Sequence, residues 1–119
     1  MAKLLQIFFF KVEKHKNIMK KIALVTGGSR GLGKDMALSL ARKGVDVVVT
    51  YNNNDEMAIE TVHEIESMGG KAAALKLNLS DFKSLDTFVQ EFTALLNSTF
   101  ETSHFDFLIN NAGDRKSVV

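Results

Sequence analysis

The residues whose types and spacing could do chemistry begin at Thr26-Gly27-Gly28-Ser29-Arg30-Gly31-Leu32-Gly33, and the chemistry is anion binding. Glycines carry no Cβ, so such a stretch can turn sharply and bring its backbone close to a ligand. A helix that starts there directs unpaired N–H groups, and the positive end of its dipole, at whatever occupies the turn. A pyrophosphate suits those features. The spacing Gly-x-x-x-Gly-x-Gly, on Gly27, Gly31 and Gly33, differs from the Gly-x-Gly-x-x-Gly of the common dinucleotide fingerprint. A P-loop is excluded as well, because Asp35 stands after Lys34 where Ser or Thr is needed. Taken alone, the loop also fits an ordinary glycine-rich βα turn.

Three more segments carry polar groups of the right kind. Thr50-Tyr51-Asn52-Asn53-Asn54 has no acid before Asp55, whereas an acidic residue there would bind the ribose hydroxyls of NAD and repel a 2′-phosphate. With Arg30 as a fixed positive charge able to grip a phosphate, the balance favours NADP over NAD. The bland readings are a solvated Arg30 and asparagines that simply form a turn. Leu77-Asn78-Leu79-Ser80 can offer an amide to an adenine edge and apolar area to its face. Asn110-Asn111-Ala112-Gly113 joins two amides to two small residues, which let a ribose or pyrophosphate approach.

The elements that must position these segments are legible in the periodicity. Ile22 to Thr26 reads as a buried strand, and Gly31 to Lys43 as a helix with Ala37, Leu40 and Ala41 inward and Gly44 as its stop. Asp46 to Thr50 is a β-branched strand, with Tyr51 to Asn54 as loop. A helix from Asp55 to Met68 places Ala58, Val62 and Ile65 on one stripe before Gly69-Gly70. Lys71 to Leu77 is a third strand. A third helix follows Ser80-Asp81, with Leu85, Phe88, Val89, Phe92, Leu95 and Leu96 at helical spacing. Phe105 to Ile109 is the last strand. Alternating strands and helices predict an α/β fold, a Rossmann-like doubly wound parallel sheet of order 3-2-1-4, truncated after its fourth strand. In that order all four polar segments converge at the carboxyl ends of the strands.

Composition narrows the class. The 119 residues hold 15 basic and 14 acidic side chains and are 45% hydrophobic. With no cysteine and three unclustered histidines, no disulfide framework and no metal site is expected. No apolar run approaches the roughly 18 residues of a membrane helix, so a cytoplasmic protein without membrane partners is expected. Residues 1–21 hold six lysines against one glutamate, but without aromatic interleaving or clustered arginines they give no nucleic-acid reading. Leu4 to Phe10 is too short and poorly flanked for a secretory signal. Met19-Lys20-Lys21 reads as a natural start, which makes residues 1–18 an upstream extension and 19–113 a partial dinucleotide-binding domain.

Thr26 to Gly33 together with Asn110-Asn111-Ala112-Gly113 resembles the short-chain dehydrogenases/reductases, from about Lys20 to Gly113. The Ser29-Arg30 pair, Leu77 to Ser80 and the neutral second-strand loop look most like the 3-oxoacyl-(acyl-carrier-protein) reductase type. The resemblance implies an NADPH-dependent oxidoreductase that reduces a small-molecule carbonyl or oxidises an alcohol. By position it implies that Gly27, Gly28, Ser29, Arg30, Gly31 and Leu32 wrap the pyrophosphate and 2′-phosphate, with Gly33 completing the motif. Asn52 would lie near the adenosine ribose, Asn78 and Leu79 by the adenine, and Asn111, Ala112 and Gly113 along the cofactor's middle.

The same resemblance marks what is missing. Active members carry a serine and a Tyr-x-x-x-Lys pair beyond the Asn-Asn-Ala-Gly strand, for proton transfer at the carbonyl oxygen. Here the single tyrosine is Tyr51, Asp55 stands fourth after it, and Ser117 lies in a short tail, so no catalytic residue is named. Homo-oligomers are expected only of a full-length parent. Asp114-Arg115-Lys116-Ser117-Val118-Val119 back-translates as GATCGGAAGAGCGTCGTG, a common sequencing-adapter read-through, and is expected to be a non-native tail. The expectation is therefore a fragment of a reductase, inactive as it stands. The alternatives are a non-catalytic NADP-binding module and, against the Asn-Asn-Ala-Gly match, a flavodoxin-like nucleotide-binding regulator.

Overall fold

The computed structural model describes residues 20–111. Residues 1–18, read as an upstream extension, Ala112, Gly113, and residues 114–119, read as a non-native tail, lie outside the described residues. The elements run β1 (Ile22–Thr26), α1 (Gly31–Arg42), β2 (Asp46–Tyr51), α2 (Asp55–Ser67), β3 (Ala72–Lys76), α3 (Phe82–Thr99) and β4 (Phe107–Asn110). The strands form one parallel sheet in the order β3-β2-β1-β4, as the sequence led one to expect.

Side chains alternate across a strand, so the apolar runs of β1 and β2 supply both faces of the sheet. Val25, Val47 and Val49 meet Ala37, Leu38 and Ala41 of α1 and Ala58 and Ile65 of α2 on one face. Ile22, Leu24 and Val48 meet Phe88, Phe92 and Leu96 of α3 on the other. The small alanines let α1 and α2 sit close to the sheet beside one another. The 18-residue α3 spans about 27 Å and carries the chain back from one edge of the sheet to the other. Among the described residues no helix is long and apolar enough to cross a membrane, and no cluster of His, Cys, Asp or Glu could hold a metal.

The structure differs from the sequence reading at Tyr51, at β4 and at Val89, and by one residue at the ends of α1, α2 and β3. Tyr51 belongs to β2, because it pairs with Lys76 and its carbonyl accepts the Leu77 N–H at 2.8 Å. β4 starts at Phe107 and not Phe105, because the Asp106 carboxylate replaces a ladder bond. Its Oδ2 accepts the Ile22 N–H at 2.9 Å, while the Asp106 N–H donates to the Ile22 carbonyl at 2.8 Å. Val89 keeps helical spacing but lies on the outside of α3, 58% exposed. β4 closes the sheet as an edge strand with Phe107 and Leu108 largely exposed.

Candidate functional site at the carboxyl edge of the sheet

Strand ends, held together by hydroxyls and amides, build the site. The buried Thr26 hydroxyl donates to Asn110 Oδ1 at 3.0 Å and accepts the Asn111 N–H at 2.9 Å, joining β1 to the chain leaving β4. One residue on, the Gly27 N–H donates to the Thr50 hydroxyl at 3.1 Å, joining β1 to β2. Asn111 Nδ2 reaches the Gly27 carbonyl at 3.4 Å. Thr26-Gly27 is therefore the hub at which three strand ends are fixed. Thr50 is 1% exposed, so its hydroxyl serves this bond and not a solvent contact.

Gly27 has φ +67° and Gly31 φ +59°, the left-handed conformations that turn β1 into α1. Gly33 serves differently. A Cβ there would lie 2.1 Å from the Gly27 carbonyl oxygen and 2.6 Å from Asn111 Nδ2, so the first turn of α1 packs directly on both motifs. Gly28 is wedged against β2, where a Cβ would meet Val49 Cγ1 at 2.6 Å. Above Gly31, by contrast, a Cβ would meet nothing within 4 Å. Gly31 faces open space, whereas Gly28 and Gly33 face protein.

That open space lies at the start of α1, whose termination differs from that of its neighbours. The Asn54 side chain caps α2 by accepting the Met57 N–H, and Asp81 caps α3 by accepting the Lys83 N–H. Arg30 holds the corresponding position of α1 in an extended conformation, with no side-chain cap bond and no acidic residue in the first turn. The first N–H groups of α1 and the positive end of its dipole thus face this opening, with the exposed Arg30 directly before them in the chain. A phosphate fits that donor set, since each group present donates and none repels.

Asn52 is exposed, directly past the Tyr51–Lys76 pair that ends the β2–β3 ladder. Leu79 is 45% exposed in the turn after β3. Asn78 Oδ1 accepts from the Ser80 N–H at 3.0 Å and the Ser80 hydroxyl at 2.6 Å, so its carbonyl oxygen is committed to its own turn. A groove of about 350 Å³ beside it is lined by Lys76, Asn78, Asp81, Ser84, Phe88 and Glu91, on the α3 side and apart from the glycine loop. The structure thus brings Gly27, Gly33 and Asn111 into direct packing, wedges Gly28 against Val49 of β2, and sets Arg30 and Gly31 at the opening. Asn52, Asn78 and Leu79 share the carboxyl edge without touching the loop.

Two contributors escaped the sequence reading. Thr50 reads as one more β-branched strand residue. Thr61, fully buried on α2, sends its hydroxyl toward the Ser29 carbonyl at 3.4 Å and the Met57 carbonyl at 3.0 Å. Its signal was available: a polar residue at i+3 from Ala58 and i−4 from Ile65, on the stripe those residues bury.

The family model for short chain dehydrogenase matches residues 21–118. A hydroxynaphthalene reductase-like protein, Arp2, of Metarhizium robertsii is 36% identical over 101 residues, covering 85% of this chain and 36% of its own length. The crystal structure of landomycin C-6 ketoreductase LanV with bound NADP and rabelomycin is 35% identical, with a TM-score of 0.76 over 82% of this chain and 40% of that one. A 3-oxoacyl-[acyl-carrier protein] reductase from Brucella melitensis is 38% identical, with a TM-score of 0.65 over 81% of this chain and 35% of that one. The chain spans a little over a third of the length of these proteins. On sequence, sheet order and loop geometry together, it belongs to the short-chain dehydrogenase family of oxidoreductases.

Proposed function

We propose that residues 19–113 are the dinucleotide-binding portion of an NADP-dependent oxidoreductase acting on a small-molecule carbonyl or alcohol. The observation that carries this reading is the interlock of Gly33, Gly27 and Asn111 beside the start of α1, where no side chain makes a cap bond. The bound NADP in the LanV structure supports the choice of dinucleotide. Bound in the crevice, NADP would supply hydride transfer. Gly27, Gly28, Ser29, Gly31 and Leu32 hold the pyrophosphate against the α1 N–H groups, and Arg30 holds the 2′-phosphate. Asn52 serves the adenosine ribose, Asn78 and Leu79 the adenine, and Asn111, Ala112 and Gly113 the middle of the cofactor. The 119-residue chain contributes no acid–base pair to this chemistry, because its one tyrosine, Tyr51, is followed at the fourth place by Asp55. We therefore read it as binding without turnover.

The test is a titration of the full chain with NADPH and with NADH, followed by nicotinamide fluorescence and calorimetry. NADPH binds more tightly, and Arg30→Ala narrows the preference by about tenfold or more, the worth of a charge-assisted hydrogen bond. Equal affinities, unchanged in the Arg30 variant, would overturn the NADP assignment. No binding of either dinucleotide would overturn the site itself.

A further inference from the structure

We infer that Thr61 is a positioning residue for the anion-gripping loop: from α2, its buried hydroxyl sets the Ser29–Arg30 peptide and so aims Arg30 into the crevice. The inference rests on the assignment of Arg30 to the 2′-phosphate and names what holds Arg30 there.

Thr61 is 0% exposed and lies on the α2 stripe of Ala58 and Ile65, where burial alone would call for an apolar side chain of the same shape. Packing therefore explains its size and not its hydroxyl. The 3.0 Å bond to the Met57 carbonyl is the ordinary back-bond of a helical threonine, and it fixes the side-chain rotamer. With that rotamer fixed, the same oxygen faces out of α2 and lies 3.4 Å from the Ser29 carbonyl. One proton is shared between two acceptors, the nearer in its own helix and the farther in the glycine loop.

The consequence for Arg30 follows from peptide geometry. In a trans peptide the carbonyl and the following N–H point in opposite directions. With the Ser29 carbonyl turned inward to Thr61, the Arg30 N–H is turned outward, and Arg30 stands exposed in an extended conformation (φ −156°, ψ 168°) at the start of α1. The loop is held from behind at two more places. Gly28 is wedged against Val49, and the Lys34 ammonium meets the Glu64 carboxylate at 2.9 Å, one turn along α2 from Thr61. Removing the Thr61 hydroxyl leaves the Ser29 carbonyl facing an apolar wall and frees that peptide to rotate, taking Arg30 with it.

The experiment titrates the full chain with adenosine 2′,5′-bisphosphate and with adenosine 5′-monophosphate, alongside a thermal melt. Thr61→Val keeps the shape and removes the hydroxyl, whereas Thr61→Ser keeps the hydroxyl. In Thr61→Val the preference for the bisphosphate narrows about two- to tenfold, the range expected for one net hydrogen bond, while Thr61→Ser retains the wild-type ratio. A wild-type ratio in folded Thr61→Val overturns the inference and leaves the Arg30 assignment standing. Should Thr61→Val fail to melt cooperatively, a narrowed ratio in Thr61→Ser overturns it, and a retained ratio there supports it. A wild-type chain without preference for the bisphosphate removes the Arg30 assignment itself, and this inference with it.

Discussion

Replacing Gly33 by alanine is the sharpest perturbation of the hub, because its cost can be worked from the coordinates. The added Cβ would lie 2.1 Å from the Gly27 carbonyl oxygen, 2.9 Å from its carbon and 2.6 Å from Asn111 Nδ2, where real Cβ contacts essentially never fall under 3.0 Å. The Gly27 carbonyl must therefore recede by nearly 1 Å. It has nowhere cheap to go, since the Gly27 N–H is held by Thr50 and the neighbouring Thr26 hydroxyl by the β4 end. Overpacking of this kind costs about 1–3 kcal/mol, and straining the Thr50 and Asn111 bonds adds about 1 kcal/mol. The better helix propensity of alanine returns less than about 1 kcal/mol. A net loss of about 2 kcal/mol is a large share of a small domain's stability, and at about 1 kcal/mol per molar it lowers the urea midpoint by about 2 M. Gly31→Ala is the informative contrast. Its Cβ meets nothing, so only the strain of φ +59°, about 1 kcal/mol, falls on stability, while the methyl stands in the opening assigned to pyrophosphate. Urea titration followed by circular dichroism, with NADPH titration of each variant, separates the two. Gly33→Ala with a wild-type midpoint and wild-type binding would refute the interlock.

The other end of the sheet and its free edge give two further expectations. Asp106→Ala removes the acceptor of the Ile22 N–H and costs about 1–2 kcal/mol in urea unfolding, whereas Lys21→Ala, whose side chain is 59% exposed and 3.8 Å from that carboxylate, changes stability by under about 0.5 kcal/mol. Equal losses in the two variants would show that the ion pair and not the backbone bond matters. Leu108→Lys places a charge on the edge strand where Leu108 is 57% exposed, and light scattering should show reduced self-association at equal concentration. Unchanged scattering would remove β4 as the contact.

Where one face of an element is buried against a uniform partner, the sequence was enough. The valines of β2 and the alanines of α1 and α2 announce strand, helix and sheet order because nothing else could bury them. It failed where a single polar side chain takes over a backbone role. Asp106 stands in for a ladder bond and delays β4, Thr61 interrupts an apolar stripe to reach a loop, and Asn78 spends its carbonyl oxygen on its own turn. The position of Thr61 on a buried stripe has a periodic signature, but its partner does not, and neither do the bonds of Asp106 and Asn78, since these depend on a partner distant in sequence or on a choice between equivalent acceptors.

The glycine motif lies between these cases. Its spacing was legible, but three glycines at Gly-x-x-x-Gly-x-Gly look equivalent on paper, and the structure divides their labour. Gly27 takes the left-handed turn and presents its carbonyl; Gly33, one strand-to-helix reversal later, comes down on that carbonyl with no room for a methyl. Asn111, 84 residues from Gly27, packs its amide against the same oxygen and the same missing Cβ. The two motifs are thus halves of one contact, which is why a loop that fits an ordinary turn by itself becomes diagnostic beside Asn110-Asn111. Gly31, unlike Gly33, has no protein neighbour within 4 Å of the place a Cβ would take. Its left-handed backbone and open outer side are what the proposed ligand site needs there, while Gly33 is required by the fold itself.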